Sequence, residues 1–297
     1  MLNAVYIIIN PNAGQGKGKL IGQELRFYLN KAGRSFEYNT TEYAGHGALL
    51  ATEAVAKKFK YVLAAGGDGT VNEIAQALTA SDSCLIIIPL GSGNGLARHL
   101  HLPFHVKDVV ELITRGRIIN CDTMRINQQF SINVSGIGFD AHVASLFGKN
   151  GKRGLFNYIK LVLSEYAQYG ESGFQIKIGK QQIDRQAWMI SAANSAQFGN
   201  EFKIAPAASV TDELIDLCII RKPHIFGALM LAWDVYRSKV DKSSLVEIIK
   251  TAEAEVTCAK PIALHIDGEP AGEHLQFQIQ IAPQKVKILV PKQTPAL

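Results

Sequence analysis

The fold class is decided by residues 61–70, YVLAAGGDGT, where a short apolar run meets a glycine-rich loop. The run Tyr61–Ala65 carries no charged side chain, which is typical of a strand buried on both faces. In the loop that follows, Gly66–Thr70, a helix is predicted to begin just after Gly69. Strand, glycine loop and helix in direct succession are typical of open parallel sheets, which bind ligands at the carboxyl ends of their strands.

The same unit recurs through the first 120 residues. Further strands are predicted at Ala4–Ile9, Phe36–Thr40 and Cys84–Pro89, with helices at about Lys19–Lys31 and Ala48–Phe59. After about Asn120 the pattern alternates and predicts antiparallel strands, at Phe174–Ile178, Leu214–Ile220, Ile262–Ile266, Leu275–Ile281 and Lys285–Val290. We therefore predict an α/β fold, with an N-terminal α/β domain on a parallel sheet (residues 1–120) and a β-rich domain (residues 121–297).

Composition excludes several classes of protein. The 297 residues include 31 Lys and Arg against 26 Asp and Glu, a net charge of +5. This charge suits an anionic substrate or membrane surface but is too weak for a dedicated nucleic-acid binder. The four cysteines are scattered, so we expect a reducing cytoplasm and neither a disulfide framework nor a zinc site. No apolar run approaches the roughly 20 residues of a membrane span.

Three loops follow predicted parallel strands and have a composition suited to phosphate. They are Asn10–Lys19, Gly66–Thr70 and Pro89–Asn94. Glycines let the backbone turn tightly and point N–H groups at an anion, and a following helix adds the positive end of its dipole. The first loop alone fits a plain strand-to-helix turn as well, and in the third Ser92 and Asn94 could simply cap the next helix. Together the three loops predict a nucleotide site.

Carboxylates stand at two places where chemistry is expected. Asp68 is the one charge of the second loop. Among phosphates it would hold Mg²⁺ or accept a proton, and the alternative is a helix cap. Asp267 and Glu269 flank Gly268 after a predicted strand. One of them could accept the proton of an attacking hydroxyl while the other orients it or the metal, and the alternative is a surface turn.

The motif set resembles that of the diacylglycerol kinase and sphingosine kinase-type lipid kinase family, in the family's order and over nearly the whole chain. The matching segments are Asn10–Gly14, Thr41 with Gly45 and His46, Gly66–Glu73, Gly91–Asn94, Gly136–Asp140 and His265–Glu269. The resemblance implies a nucleotide domain followed by a β-sandwich-like domain, with the active site in the interdomain cleft. It also implies nucleotide contacts from Asn10, Pro11, Asn12, Ala13, Gly14, Thr41, Gly66, Gly67, Asp68, Gly69, Thr70, Val71, Asn72 and Ser92.

For catalysis, the resemblance places the general base in the Asp267–Glu269 motif and involves the Asp68 position in metal and proton chemistry. We expect Glu269 to accept the proton and Asp267 to support it, with Asp68 as the main rival. The cofactors implied are ATP and Mg²⁺.

Two positions depart from the family pattern. Gly95 follows Asn94 where the bacterial diacylglycerol kinases carry Asp, which removes a carboxylate from the Mg²⁺ network and leaves the acceptor lipid open. The turn Thr211–Leu214 replaces the family's usual Asp-Asp-Gly-Leu around a structural Mg²⁺. In that turn, Asp212 and the Leu214 carbonyl could still ligate a metal, with Ser209 as a weak third ligand, and an exposed Asp in a turn is the alternative.

The sequence thus predicts an ATP-dependent lipid kinase that phosphorylates a hydroxyl of a diacylglycerol, sphingoid or related lipid. The first alternative is an NAD kinase-like enzyme, because Gly-Gly-Asp-Gly-Thr also occurs in NAD kinases. The second is a catalytically silent lipid- or nucleotide-binding protein, because of Gly95 and Glu213.

The expected partner is the lipid, reached by transient contact with the inner membrane face from the cytoplasm. A second copy of the chain is a candidate homodimer partner, and nucleic acid is not expected. Residues 147–156, FGKNGKRGLF, could dock on anionic headgroups or form a solvated loop. The apolar stretch Ile225–Trp233 could touch a membrane, but we predict a core helix.

Overall fold

The structure, a computed structural model, describes residues 4–147, 155–199 and 202–294. The chain forms two compact units, Met1–Asp122 with Pro283–Leu297, and Thr123–Ala282. The predicted fold class is confirmed, because the first unit is α/β with a parallel sheet and the second is rich in antiparallel strands. The domain limits 1–120 and 121–297 stay a prediction, although residues 283–297 belong to the first compact unit.

Strands and helices alternate through the first unit. Its elements are β1 (Val5–Ile9), α1 (Ala13–Lys31), β2 (Phe36–Thr40), α2 (His46–Ala56), β3 (Tyr61–Gly66), α3 (Asp68–Leu78), β4 (Cys84–Pro89), α4 (Gly95–His99), α5 (Val106–Arg115) and the start of β5 (Arg117–Ile126). The parallel sheet has the order β2-β1-β3-β4, and Lys287 and Ile288 pair in parallel beside β4.

The sheet of the first unit is buried as its sequence predicts. All residues of β1, β3 and β4 are buried. Side chains of α1 and α5, such as Leu25 and Val109, share one core with Leu63 and Ile86 of the sheet. Burial of an apolar surface of this kind is the main favourable term in folding, so the apolar runs of the sequence set the position of the sheet.

The second unit is built from antiparallel strands and three helices within the described residues. Its elements are β6 (Gln129–Ser131), β7 (Val134–Gly138), α6 (Phe139–Leu146), α7 (Leu155–Gln168), β8 (Ser172–Ile178), β9 (Gln181–Ala187), β10 (Met189–Ala193), β11 (Gln197–Gly199), β12 (Phe202–Lys203), β13 (Ile215–Ile220), α8 (Ile225–Tyr236), a 3₁₀ turn (Val240–Lys242), β14 (Val246–Thr251), β15 (Glu253–Ile266) and β16 (Glu269–Val290), which ends in the first unit.

The strands of the second unit follow the order β14-β13-β10-β7-β15-β16; β8 also pairs with β15, and β9 pairs with β8. In β8, Phe174 and Ile176 are buried while Gln175 and Lys177 are exposed, as the two-residue period of a half-buried strand requires. The buried side chains join Ile190 and Phe277 in one core.

Several elements differ in their bounds from the sequence prediction, and the strand predicted at Ile262–Ile266 is the longer β15, Glu253–Ile266. α1 begins at Ala13 rather than near Lys19, so part of the predicted first loop is helical; the Ala13 N–H donates to the carbonyl of Asn10 at 3.2 Å. Leu275–Ile281 and Lys285–Val290 lie in one continuous strand, β16. Pro283 lies between the two predicted segments, and a proline removes only one ladder donor and is tolerated at an irregular or edge position. Among the described residues, no helix is long and apolar enough to span a membrane.

Candidate active site

The first two glycine loops of the first unit are linked through Asn10, at the end of β1. Its N–H donates to the carbonyl of Ala65 at 2.9 Å, and its Nδ2 donates to Thr70 Oγ1 at 3.1 Å. The Oδ1 atom of the same side chain accepts the Asn12 N–H at 3.0 Å. One amide side chain therefore fixes the loop after β1 against the loop after β3, as neighbouring parallel strands allow.

The second and third loops approach each other so closely that only glycines fit. A Cβ atom placed on Gly91 would lie 2.7 Å from Gly67 Cα, and one placed on Gly67 would lie 3.3 Å from Gly91 Cα. The Leu90 N–H also donates to the carbonyl of Gly66 at 2.8 Å. The two loops thus form one surface with bare backbone, which is the form that phosphate recognition by N–H groups requires.

Asp68 links these two loops by its carboxylate. Its Oδ2 accepts the Asn94 N–H at 2.8 Å, and its Oδ1 accepts the Gly95 N–H at 2.9 Å. The predicted alternative, a cap on the helix that begins at Asp68, is therefore only partly right, because these bonds go to the start of α4 instead. Asp68 is half-buried beside the bare backbone of both loops, the position that a metal ligand or a proton acceptor among phosphates would take.

Asn94 holds the third loop in shape. It is buried, with φ +52°; its Oδ1 accepts the Gly91 N–H at 2.8 Å and its Nδ2 donates to the Gly91 carbonyl at 2.7 Å. Both polar atoms of the buried Asn94 side chain therefore bond to Gly91, whereas the neighbouring Ser92 is exposed. Of these two polar side chains, Ser92 is the one available to a ligand.

The other predicted nucleotide contacts lie around these loops. The Thr41 N–H donates to the carbonyl of Ile9 at 2.8 Å, which places Thr41 beside the end of β1. Val71 is buried and its N–H donates to the Gly67 carbonyl at 3.0 Å, so neither its side chain nor its amide is offered to a ligand. Asn12 is exposed, and the remaining positions are half-buried: Pro11, Ala13, Gly14, Gly69 and Asn72.

Glu73 has a positioning role that the sequence did not reveal. Its two carboxylate oxygens accept the N–H groups of Gly45 and Gly47, at 2.9 and 3.2 Å. This carboxylate therefore stabilises the start of α2 from α3, where backbone donors would otherwise lack partners. The motif Gly66–Glu73 contained the residue, but its partners lie more than 25 positions earlier in the chain.

In the second unit, Asp267 and Gly268 form the two-residue turn between β15 and β16. Both have left-handed φ values, +49° and +92°, as a tight hairpin turn of this length requires. The Asp267 carboxylate is buried and accepts hydrogen bonds from Ser131 Oγ at 2.6 Å and from two backbone N–H groups, those of Ile132 at 3.0 Å and Asn133 at 3.1 Å. This carboxylate holds the turn in place.

A buried histidine and carboxylate support the same turn. His265 Nδ1 accepts the Gly268 N–H at 3.1 Å, so the ring proton lies on Nε2, which is 3.2 Å from Asp140 Oδ2. The Asp140 Oδ1 accepts the Ala141 N–H at 2.8 Å. Burial, together with the nearby charge of Asp140, raises the pKa of Tyr169 to about 12, so this phenol stays neutral.

Glu269, the first residue of β16, differs from the other two carboxylates. It is exposed, and its side chain has no hydrogen-bond partner among the described residues, although its backbone pairs with that of Ile266. Asp68 and Asp267 each accept at least two backbone N–H groups. Glu269 is therefore the carboxylate of the three whose oxygens are most open to an incoming hydroxyl.

The predicted metal turn of the second unit is held by a lysine. Asp212 Oδ1 accepts the Leu214 N–H at 3.1 Å, and Asp212 Oδ2 lies 3.0 Å from Lys250 Nζ. Ser209 Oγ accepts the Thr211 N–H at 3.3 Å. The donor set does not fit a divalent ion as it stands, because an ammonium group already neutralises its single carboxylate. Within the described residues no group of three or more His, Cys, Asp or Glu side chains could hold a metal. We therefore assign no metal to this turn.

Comparison with known proteins agrees with this geometry. Residues 4–126 match the model of the diacylglycerol kinase catalytic domain, and residues 133–290 match that of the YegS C-terminal NAD kinase beta sandwich-like domain. A protein of Alcanivorax borkumensis named "probable lipid kinase YegS-like" is 26% identical over 89% of this chain and 90% of its own length. The diacylglycerol kinase of Bacillus subtilis is 26% identical over 90% of this chain and 89% of its own length.

A solved structure has the same fold. The crystal structure of a diacylglycerol kinase from Bacillus anthracis superposes with a TM-score of 0.76 over 98% of each chain, at 18% identity. With two family models covering both the glycine loops and the β-rich unit, this chain belongs to the family of diacylglycerol kinases and YegS-like lipid kinases, and it is a kinase.

Proposed function

We propose that this lipid kinase transfers the γ-phosphoryl group of MgATP to a hydroxyl of a membrane lipid. The observation that carries the proposal is the joining of three glycine loops in the first unit, by Asn10 between the first two and by Asp68 between the second and third. Phosphoryl transfer depends mainly on positioning and charge stabilisation, and a surface of bare backbone at the ends of parallel strands supplies both.

The nucleotide phosphates are proposed to lie against the loops that begin at Asn10, Gly66 and Gly91. The close approach of Gly67 to Gly91 leaves no room for a side chain there, so backbone N–H groups can approach phosphate oxygens. Asp68 would hold Mg²⁺ by its carboxylate, and the metal would supply charge neutralisation between the phosphates.

Glu269 is proposed to accept the proton of the lipid hydroxyl. A general base needs an oxygen that can reach the hydroxyl and hold a proton, and Glu269 is exposed, whereas Asp267 is buried under three donors. Asp267 and His265 then act by positioning, because both hydrogen-bond within the turn that carries Glu269.

The acceptor class is proposed to be a diacylglycerol, sphingoid or related lipid. Gly95 donates its N–H to Asp68 Oδ1, at the position where the bacterial diacylglycerol kinases carry Asp. The carboxylate that those enzymes place there is absent, so acceptors other than diacylglycerol are included in the proposal. Transient contact of the enzyme with a membrane surface follows from a lipid acceptor.

A kinase assay with labelled ATP tests this proposal. The acceptor panel contains diacylglycerol, monoacylglycerol, a sphingoid base, ceramide and phosphatidylglycerol, with NAD as a soluble acceptor. We expect Mg²⁺-dependent labelling of at least one lipid by the wild type and none by Asp68→Ala. Labelling of NAD alone would replace the proposal with an NAD kinase-like activity, and nucleotide binding without labelling of any acceptor would indicate a silent binding protein.

A further inference from the structure

Helix α8 presents large apolar side chains on its outer side. Met230, Trp233 and Tyr236 are 69%, 57% and 61% exposed, and their spacing of three residues places them on one side of the helix. The opposite side is used by the fold, because Val235 is buried and Leu231 packs against the core of the second unit. We predicted a core helix here, and one side of α8 does pack against the core. The other side is apolar and is not covered by any of the described residues.

Basic residues lie next to this apolar side. Between positions 221 and 242 the sequence has five Lys and Arg against two Asp. Arg237 and Lys239 at the end of α8 are exposed, as is Lys242, and the Arg237 guanidinium lies 5.7 Å from the centre of the Trp233 ring. We define the α8 surface as Met230, Trp233, Tyr236, Arg237 and Lys239.

We propose that the α8 surface docks the kinase on an anionic lipid bilayer. Trp and Tyr prefer the membrane–water interface, where an apolar ring and a polar tip are both satisfied, and Met adds apolar area. Arg and Lys extend their charged ends to acidic headgroups while their stems stay among apolar groups. An interfacial helix that lies flat has this combination of an apolar side and basic flanks.

A bilayer fits the charge pattern better than a second copy of the chain does. In a two-fold dimer each surface patch meets its own equivalent, so Arg237 and Lys239 of both copies would be brought near each other, and the single acidic residue of α8, the half-buried Asp234, does not balance them. An acidic bilayer pairs the same residues with opposite charge. The docking inference rests on the proposed function, because a kinase with a lipid acceptor needs such contact. Residues 148–154, for which docking and a solvated loop were left as alternatives, lie outside the described residues.

The test measures sedimentation of the full chain with vesicles in the absence of nucleotide. Vesicles of phosphatidylcholine with phosphatidylglycerol should bind the wild type, and vesicles of phosphatidylcholine alone should bind it less. The double variant Met230→Ser, Trp233→Ser should partition more than about tenfold less, and Arg237→Gln with Lys239→Gln should lose roughly fivefold per charge on anionic vesicles only.

A matched control removes equal apolar area elsewhere. Leu20 and Phe27, on α1, are 74% and 61% exposed, and the double variant Leu20→Ser, Phe27→Ser should bind vesicles as the wild type does. Equal thermal unfolding of all variants would show that the substitutions leave the fold intact. If the wild type does not bind anionic vesicles, or if the α8 double variant binds as the wild type does, the inference is overturned.

Kinase assays separate failure of this inference from failure of the proposed function. The α8 variants should lose activity on a vesicle-embedded acceptor but keep it on a dispersed short-chain acceptor. If no lipid is phosphorylated while α8-dependent vesicle binding persists, the proposed function fails and the docking surface stands. If sedimentation velocity shows a wild-type dimer that the α8 double variant dissociates, a second copy is the occupant and the inference is wrong.

Discussion

At the scale of single residues, the three candidate carboxylates differ in how many donors each one already accepts. Asp267 takes a hydroxyl and two backbone N–H groups, and Asp68 takes two backbone N–H groups. Glu269 is exposed, and its side chain has no partner among the described residues. The first two carboxylates are already bonded within the fold, which suits the supporting and metal-binding roles proposed for them, and the open side chain of Glu269 suits the proposed proton transfer.

This difference predicts the kinetics of Glu269→Gln. The substitution keeps the shape of the side chain but removes the basic oxygen, so turnover on the acceptor lipid should fall roughly 10²–10⁴-fold, while the KM for ATP stays near that of the wild type. Steady-state kinetics with both substrates varied would measure this. Glu273→Gln, exposed on the same strand, is the matched control and should leave both constants unchanged.

The variant Asp68→Asn should change the kinetics in a different way from Glu269→Gln. Its new amide group cannot accept both N–H groups of Asn94 and Gly95, so the loops should loosen, the KM for MgATP should rise and turnover should fall together. If Glu269→Gln keeps near-normal turnover while Asp68→Asn lowers turnover without changing the KM for MgATP, Asp68 and not Glu269 is the general base.

At the scale of elements, the loops after β3 and β4 work as one unit because Gly67 and Gly91 are in close contact. Gly91→Ala would place a methyl group 2.7 Å from Gly67 Cα, and backbone on both sides would have to move. We expect the free energy of unfolding to fall by about 1–3 kcal/mol and the KM for ATP to rise. Denaturant unfolding and steady-state kinetics would measure these two effects.

Gly170→Ala is the control for this prediction, since a Cβ atom at Gly170 meets no atom within 4 Å. It should change neither stability nor the KM for ATP. If Gly91→Ala binds ATP as tightly as Gly170→Ala does, the contact between the two loops is not part of the nucleotide site.

At the scale of the whole molecule, a buried charge predicts how stability depends on pH. Burial raises the pKa of Asp216 above its usual value, and Lys250 opposes the rise only in part; Lys250 Nζ lies 3.6 Å from Asp216 Oδ2. The folded state therefore holds this proton at pH values where the unfolded chain has lost it. The ionised side chain destabilises the folded protein above its folded pKa, and this cost disappears as the pH falls through that value.

Asp216→Asn should consequently be more stable than the wild type at neutral pH, and the difference should shrink as the pH is lowered. Urea unfolding across the acid range would measure both free energies. In a protein that keeps Asp216, Lys250→Gln removes the nearby cation. The free energy of unfolding that is lost when Asp216 ionises should then become larger. A wild type that is the more stable protein at neutral pH would contradict the prediction.

Much of the fold was open to prediction because its signals are local. The strands Phe36–Thr40 and Cys84–Pro89 were predicted with the bounds that the structure has, since apolar runs and the turns around them lie within a few residues of each other. The strand β16 was predicted as two, because the choice to continue pairing past Pro283 depends on neighbouring strands.

The sequence by itself determined the parallel sheet, the glycine loops at its strand ends and the identity of the carboxylates, because each of these depends on short-range residue pattern. Only the tertiary structure decided which partners each carboxylate has. Asp267 is held by residues more than 130 positions earlier, and Asp212 is paired with Lys250. Such partners are brought together by the burial of apolar surface over the whole unit, a contribution to the free energy of folding that no local stretch of sequence carries.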